Sequence, residues 1–114
     1  MLDLAVEVRR LADGARAGTL TPTDLIGSTF TVSNFGGFGI DEGYPVINHP
    51  EVAILGIGSV RTRPVVVDDQ VVARPTASFT CSFDHRVCDG ADAGAFLAQI
   101  RGLIEAPGEL VVDG

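Results

Sequence analysis

The sequence predicts an α/β (α+β) sandwich, a mixed β-sheet covered by helices, and three observations carry that expectation. Apolar residues recur at helical spacing near both ends of the chain. The middle is built of β-branched and aromatic runs separated by glycine- and proline-containing turns. The last helical segment has an apolar stripe that needs a sheet to cover. The length, 114 residues, suffices for one domain with a modest core and is too short for two independent ones.

Leu4, Val8, Leu11 and Ala15 share one helical face, so a first helix is expected from about Leu2 to Ala17, stopped by Gly18. Thr21-Pro22-Thr23-Asp24 combines an N-cap residue, a proline at the first helical position and an early acid, the opening of a short second helix that ends near Gly27. Thr29 to Ser33 and Glu51 to Val60 have strand composition. Gly36-Gly37-Phe38-Gly39, between them, is expected to be a loop. Pro64 to Val67, then Asp68-Asp69-Gln70, then Val71 to Ala73 reads as a hairpin with an acidic turn, and the same sheet continues through Ala77 to Phe83. A last helix spans about Ala91 to Glu105, with Ala93, Phe96, Leu97, Ile100, Leu103 and Ile104 in its stripe and Pro107 at its end.

Composition removes several functional classes. With 46% hydrophobic and 20% charged residues the chain has ordinary globular composition, which argues against disorder despite its 14 glycines. A net charge of −7 and the lack of any run of basic residues argue against a nucleic-acid partner. No stretch approaches the roughly 20 apolar residues of a membrane span. The opening Met1-Leu2-Asp3-Leu4 has neither the basic flank nor the apolar core of a signal peptide. A cytoplasmic protein, or one of an organelle matrix, is expected. Cys81 and Cys88 form no CxxC pair and read as reduced thiols.

Several familiar motifs fail on their chemistry. Gly56-Ile57-Gly58-Ser59 follows a strand but lacks the third glycine and the helix that a dinucleotide loop needs, and Gly37-Phe38-Gly39 fails on glycine spacing. No GxSxG elbow is present. Asp84, His85 and Asp89 invite a metal reading, but Arg86 beside them opposes a cation, so no metal is expected. His49, before Pro50 in a turn, reads as a surface or packing residue.

Phe83-Asp84-His85-Arg86-Val87-Cys88-Asp89-Gly90 ends a strand and opens a helix, which projects a histidine from a rigid edge. The segment resembles the His-Arg-x-x-Asp-Gly signature of the dihydrolipoyl acyltransferase (E2) component of 2-oxo acid dehydrogenase complexes, whose fold is shared with chloramphenicol acetyltransferase. Gly27 to Gly39 (GSTFTVSNFGGFG) is similar to that family's serine-bearing strand and glycine loop, and Pro45 to Val60 (PVINHPEVAILGIGSV) to its next segment. Leu20-Thr21-Pro22 and Asp24 follow the family as well, so the resemblance runs over essentially the whole chain. One departure is Cys88, where the family usually has an aliphatic residue. The other is length, because residues 1–114 match only the C-terminal part of the family's catalytic domain. Its N-terminal half and its lipoyl and subunit-binding domains have no counterpart here.

The resemblance implies acyl transfer, acetyl or branched-chain, between dihydrolipoyl lysine and coenzyme A. It assigns His85 as the base, Ser33 as the hydroxyl donor to the tetrahedral oxyanion, and Asp89 as a residue that holds the loop in place. Read without the family, Asp89 is an N-cap and Ser33 a strand residue bonded locally. The resemblance also puts coenzyme A near Ser33, Asn34, Gly37, Gly58 and Val60, and leaves the lipoyl group on a separate domain. It implies a homotrimer that builds a larger core and works with the E1 and E3 components of the complex. A structural core subunit without activity, or a truncated remnant of the same fold, is the alternative.

Overall fold

The structure is a computed structural model that describes residues 2–108, Leu2 by its backbone alone. Met1 and residues 109–114, at the ends of the expected 1–114 domain, lie outside the described residues. The chain divides into two units, one of its residues up to Ser28 together with those from Ala98 onward, the other of Thr29–Leu97.

In the first unit, α1 spans Leu2–Ala17, as the periodicity requires. Its end is a Schellman closure. Gly18 takes φ +71°, the Thr19 amide donates to the Gly14 carbonyl at 2.9 Å and the Gly18 amide to that of Ala15 at 3.4 Å. The expected second helix is a single 3-10 turn, Pro22–Leu25. A capping box opens it, the Asp24 amide donating to the Thr21 hydroxyl and the Asp24 carboxylate accepting from the Thr21 amide. Arg10 ties this turn to α1 by pairing with Glu7 at 2.6 Å and Asp24 at 3.1 Å.

The second unit contains β1 (Thr31–Asn34), β2 (Ala53–Ile57), β3 (Arg61–Val67), β4 (Gln70–Thr76) and β5 (Phe79–Phe83). The sheet is mixed, as expected, because β1 runs parallel to β2 and β2 antiparallel to β5. The single continuous sheet is not what forms. β1-β2-β5 make one sheet, and β3-β4 make a separate two-stranded one. The break falls just after β2: the Gly58 amide still donates to Ser78, continuing the pairing with β5, but the Ser59 amide donates to Ile40, so the backbone leaves the first ladder before β3 begins. The strand expected over Glu51 to Val60 is therefore shorter, and the hairpin longer, than composition indicates. Asp68 and Asp69 form its turn with φ 52° and 62°, the left-handed pair of a type I′ turn, and Gln70 already belongs to β4.

Ile54 and Leu55, adjacent on β2 and therefore on opposite sheet faces, are the buried apolar core. The central strand of the three is covered on both sides. The glycine stretch expected as a loop contains one 3-10 turn, Gly36–Phe38, closed by Gly39 at φ +78°. Helix α2 spans Gly90–Glu105, and no residue in it is buried. Its expected stripe makes a ring contact at Phe96, whose centroid lies 5.6 Å from that of Phe30, while Phe96 itself stays 38% exposed.

Candidate functional site

The two groups of site residues sit at opposite ends of the three-stranded sheet. His85 follows β5 at the end where β2 begins. There Phe83 pairs with Ala53, and the Asp84 amide donates to the Val52 carbonyl at 2.7 Å. A tight turn comes next, with the Val87 amide at 2.9 Å and the Cys88 amide at 3.2 Å from the Asp84 carbonyl. This turn reverses the chain and leaves the exposed His85 imidazole on its outside, 5.8 Å between centroids from the Phe83 ring. Among the described residues no hydrogen bond engages His85.

Asp84 and Arg86 clamp the turn. The Arg86 guanidinium donates to the Asp84 carboxylate at 2.8 Å and 3.0 Å, and the Arg86 amide donates to it at 3.0 Å. These bonds, the guanidinium first, pull the Asp84 carboxyl down to about 2. A depressed carboxylate contributes to the turn above its ordinary value, about 3.9, and that contribution is lost as the pH falls toward 2. A carbon-13 titration of the Asp84 carboxyl is expected to show a midpoint near 2. In Arg86→Ala the midpoint should rise toward about 3.9; an unmoved midpoint would remove Arg86 as the cause.

Asp89 caps α2. Its carboxylate accepts from the Asp92 amide at 2.9 Å, and its own amide donates to the Asp92 carboxylate at 3.0 Å. The first of these bonds is also the main cause that lowers the Asp89 pKa. The N-cap reading is thus realised. Fixing the start of α2 also fixes the end of the His85 turn, which is compatible with a positioning role.

At the other end, Ser33 on β1 is in register with Gly56 on β2, and Gly56 with Thr80 on β5. The Ser33 hydroxyl has no hydrogen-bond partner among the described residues, so the local bond that a strand serine favours is not made. The Asn34 carboxamide oxygen accepts from the Gly36 amide at 3.0 Å and sets the 3-10 turn. Gly37 has open space where a side chain would stand, and Val60 is 69% exposed. Gly58 is different: a Cβ there would run into the Asp41 carbonyl oxygen, so the fold itself requires glycine. Gly36 likewise lies against the Gly58 carbonyl, which brings Ser33, Asn34, Gly37, Gly58 and Val60 into one region. His85 lies five residues along the chain from the Thr80 row, which contains Ser33, and the first three of these are in β5. At 3.4 Å per residue that separates the two groups by on the order of 15 Å. One chain does not bring them together.

Sequence reasoning missed three features. Glu51, read as the start of a strand, is a buried carboxylate that accepts from the Thr31 hydroxyl at 2.5 Å. Phe35 has its ring packed where side chains at Gly43 and Gly56 would otherwise stand, beside Pro45. Asp41 gathers Arg61 and Arg63. Only the first left a trace in the sequence, an acid heading an apolar run. His49 is exposed in its turn, as expected. No group of three or more metal-ligating side chains occurs among the described residues, nor is any described helix long and apolar enough to cross a membrane.

Comparison with known proteins converges on one family. Over 109 residues the chain is 48% identical to the lipoamide acyltransferase component of the branched-chain alpha-keto acid dehydrogenase complex of Pseudomonas aeruginosa, covering 96% of this chain and 26% of that protein. It therefore spans about a quarter of the length of such curated relatives. Its fold matches the dihydrolipoamide acetyltransferase of Azotobacter vinelandii with a TM-score of 0.90 and 34% identity, covering 96% of this chain and 45% of that one. In that protein a serine, a histidine and an asparagine have been investigated for their role in the catalytic mechanism. The cubic core of a pyruvate dehydrogenase multienzyme complex matches equally, with a TM-score of 0.90, 34% identity and the same coverage, 96% and 45%. The family model for the catalytic domain of 2-oxoacid dehydrogenases acyltransferase matches residues 1–112, and this chain belongs to that family.

Proposed function

We propose that the protein to which this chain belongs moves an acyl group, acetyl or branched-chain, between dihydrolipoyl lysine and coenzyme A within a 2-oxo acid dehydrogenase complex. One observation carries the assignment of residues. The serine, histidine and asparagine investigated in the Azotobacter vinelandii enzyme have the same intervals along its chain as Ser33, His85 and Asp89 have here. The third position differs, aspartate standing for asparagine. Its work here is done by carboxylate oxygen, the acceptor at the N-cap of α2, which an asparagine carbonyl also provides.

His85 takes the proton from the incoming thiol, whose sulfur attacks the thioester carbonyl. The resulting oxyanion accepts a hydrogen bond from the Ser33 hydroxyl and then collapses, expelling the other thiol, which recovers the proton from His85. Free thiols, with pKa near 8.5, are mostly protonated at neutral pH, and an imidazole near 6.5 is a suitable base. Asp89 and the Asp84–Arg86 pair position the turn and move no proton. The open side of Gly37 gives the thiol arm of coenzyme A a close approach to the backbone.

Because Ser33 and His85 stand at opposite ends of one sheet, a working site takes them from neighbouring copies, as in a homotrimer that builds a larger core and serves the E1 and E3 components. The match to a cubic core supports such an assembly. The test is thioester exchange between dihydrolipoamide and acetyl- or branched-chain acyl-coenzyme A, measured on the whole protein. Turnover with at least one donor is expected; none with either would leave a structural core subunit as the better reading.

A further inference from the structure

The base assigned above makes no hydrogen bond of its own among the described residues, so the backbone turn that carries His85 sets where its imidazole stands. The far end of that turn is held by the Asp89 cap on α2, and the Asp84–Arg86 pair clamps its middle. Its near end is hooked to the sheet by the Asp84 amide, which donates to the Val52 carbonyl at 2.7 Å. Val52 precedes β2 and continues the antiparallel register in which Ala53 meets Phe83. The Val52 side chain is 39% exposed, so packing does little to fix the peptide that receives this bond.

The residue before Val52 supplies what packing does not. Glu51 is buried, and a carboxylate is costly to bury unless hydrogen bonds satisfy it. An apolar side chain would fill the same place without that cost, so the carboxylate is there for the bond it makes. The Glu51 amide donates to the Asn48 carbonyl at 2.8 Å, and its carboxylate accepts from the Thr31 hydroxyl at 2.5 Å. Thr31 opens β1 in register with Ile54, and its neighbour Phe30 lies against Phe96 of α2, the helix that closes the His85 turn. Glu51 thus ties the entry of β2 to the strand beside it. We infer that Glu51 is a positioning residue for His85: seated on Thr31, its carboxylate holds the Val52 carbonyl where the Asp84 amide meets it, and so sets where the turn leaves the sheet. The inference rests on the acyl-transfer reading above.

The test is steady-state exchange between dihydrolipoamide and acyl-coenzyme A on the whole protein, beside hydrogen–deuterium exchange of the segment Phe83 to Cys88. Glu51→Leu, which keeps bulk and loses the acceptor, is expected to lower kcat about 10- to 100-fold, as a displacement of about 1 Å at a reacting group does. KM for either substrate should not move. The amides of the His85 turn should exchange faster, while those of the β3-β4 hairpin keep their rates. Glu51→Gln, which still offers an oxygen to the Thr31 hydroxyl, should retain most of the rate. In a His85→Ala background Glu51→Leu should add nothing, because residues acting through one step are not additive. A glutamate with a merely structural role would lower the residual rate there as well. Unchanged kcat in a folded Glu51→Leu, or a loss that persists in full without His85, would overturn the inference. If Glu51→Leu does not assemble, Thr31→Val and Thr31→Ser replace it, with loss expected in the first and retention in the second; equal rates would overturn the inference. If the unaltered protein transfers no acyl group, the reaction assigned above falls, and hydrogen exchange in the Glu51 variants alone decides whether this residue holds the turn.

Discussion

Replacing His85 with alanine is expected to lower acyl exchange by about 10²- to 10⁴-fold, the usual contribution of a positioned base. The loss should appear in kcat, because the thiol still binds but keeps its proton. Exposure of the imidazole on the outside of its turn means that the change removes no packed core group. Thermal stability should therefore stay close to that of the unaltered protein, with surface changes usually within about 0.5 kcal/mol. The measurement is steady-state exchange between dihydrolipoamide and acyl-coenzyme A beside a melting curve. Full activity in His85→Ala would end the mechanism proposed here, whereas lost activity with lost folding would assign the residue to structure.

Ser33→Ala is expected to cost about 10²- to 10³-fold in kcat, the effect of removing one oxyanion donor. The substitution deletes a hydroxyl that bonds to nothing among the described residues, so it leaves no buried partner unsatisfied. A sharper experiment follows from the sheet. With Ser33 near the last residue of β1 and His85 beyond the last residue of β5, the antiparallel pairing of β2 and β5 puts them at opposite ends. Chains carrying Ser33→Ala and chains carrying His85→Ala, each nearly inactive, should recover activity when co-assembled, because some sites then draw both intact residues from different copies. No recovery in demonstrably mixed assemblies would mean that each site takes both residues from one chain.

Much of the local structure was legible because it is decided by neighbours in sequence. Thr21, Pro22 and Asp24 satisfy the first amides of their own turn, and Gly18 relieves the left-handed closure of α1, whatever surrounds them. The hairpin was legible through its acidic turn. Its limits were not, since Arg61 and Thr76 join the ladder only through the partner strand. The single sheet failed for a related reason. Composition marks a segment as strand but does not say which ladder its amides enter, and at Ser59 the amide turns away to Ile40. The α2 stripe shows the same limit, as periodicity identifies an apolar face without supplying what buries it.

The sequence by itself determined the family, through the segment from Asp84 to Gly90 and the serine strand before the glycine turn, and with it the residues to which acyl transfer is assigned. Tertiary structure alone decided where those residues stand. It separated Ser33 from His85, buried Glu51 against Thr31, pressed Gly58 onto Asp41 and set Arg63 opposite Arg74. The physical reason is range. Caps, turns and helical periodicity are interactions over a few residues, which a linear reading can follow. Strand order and register join residues far apart along the chain, and no local preference specifies them.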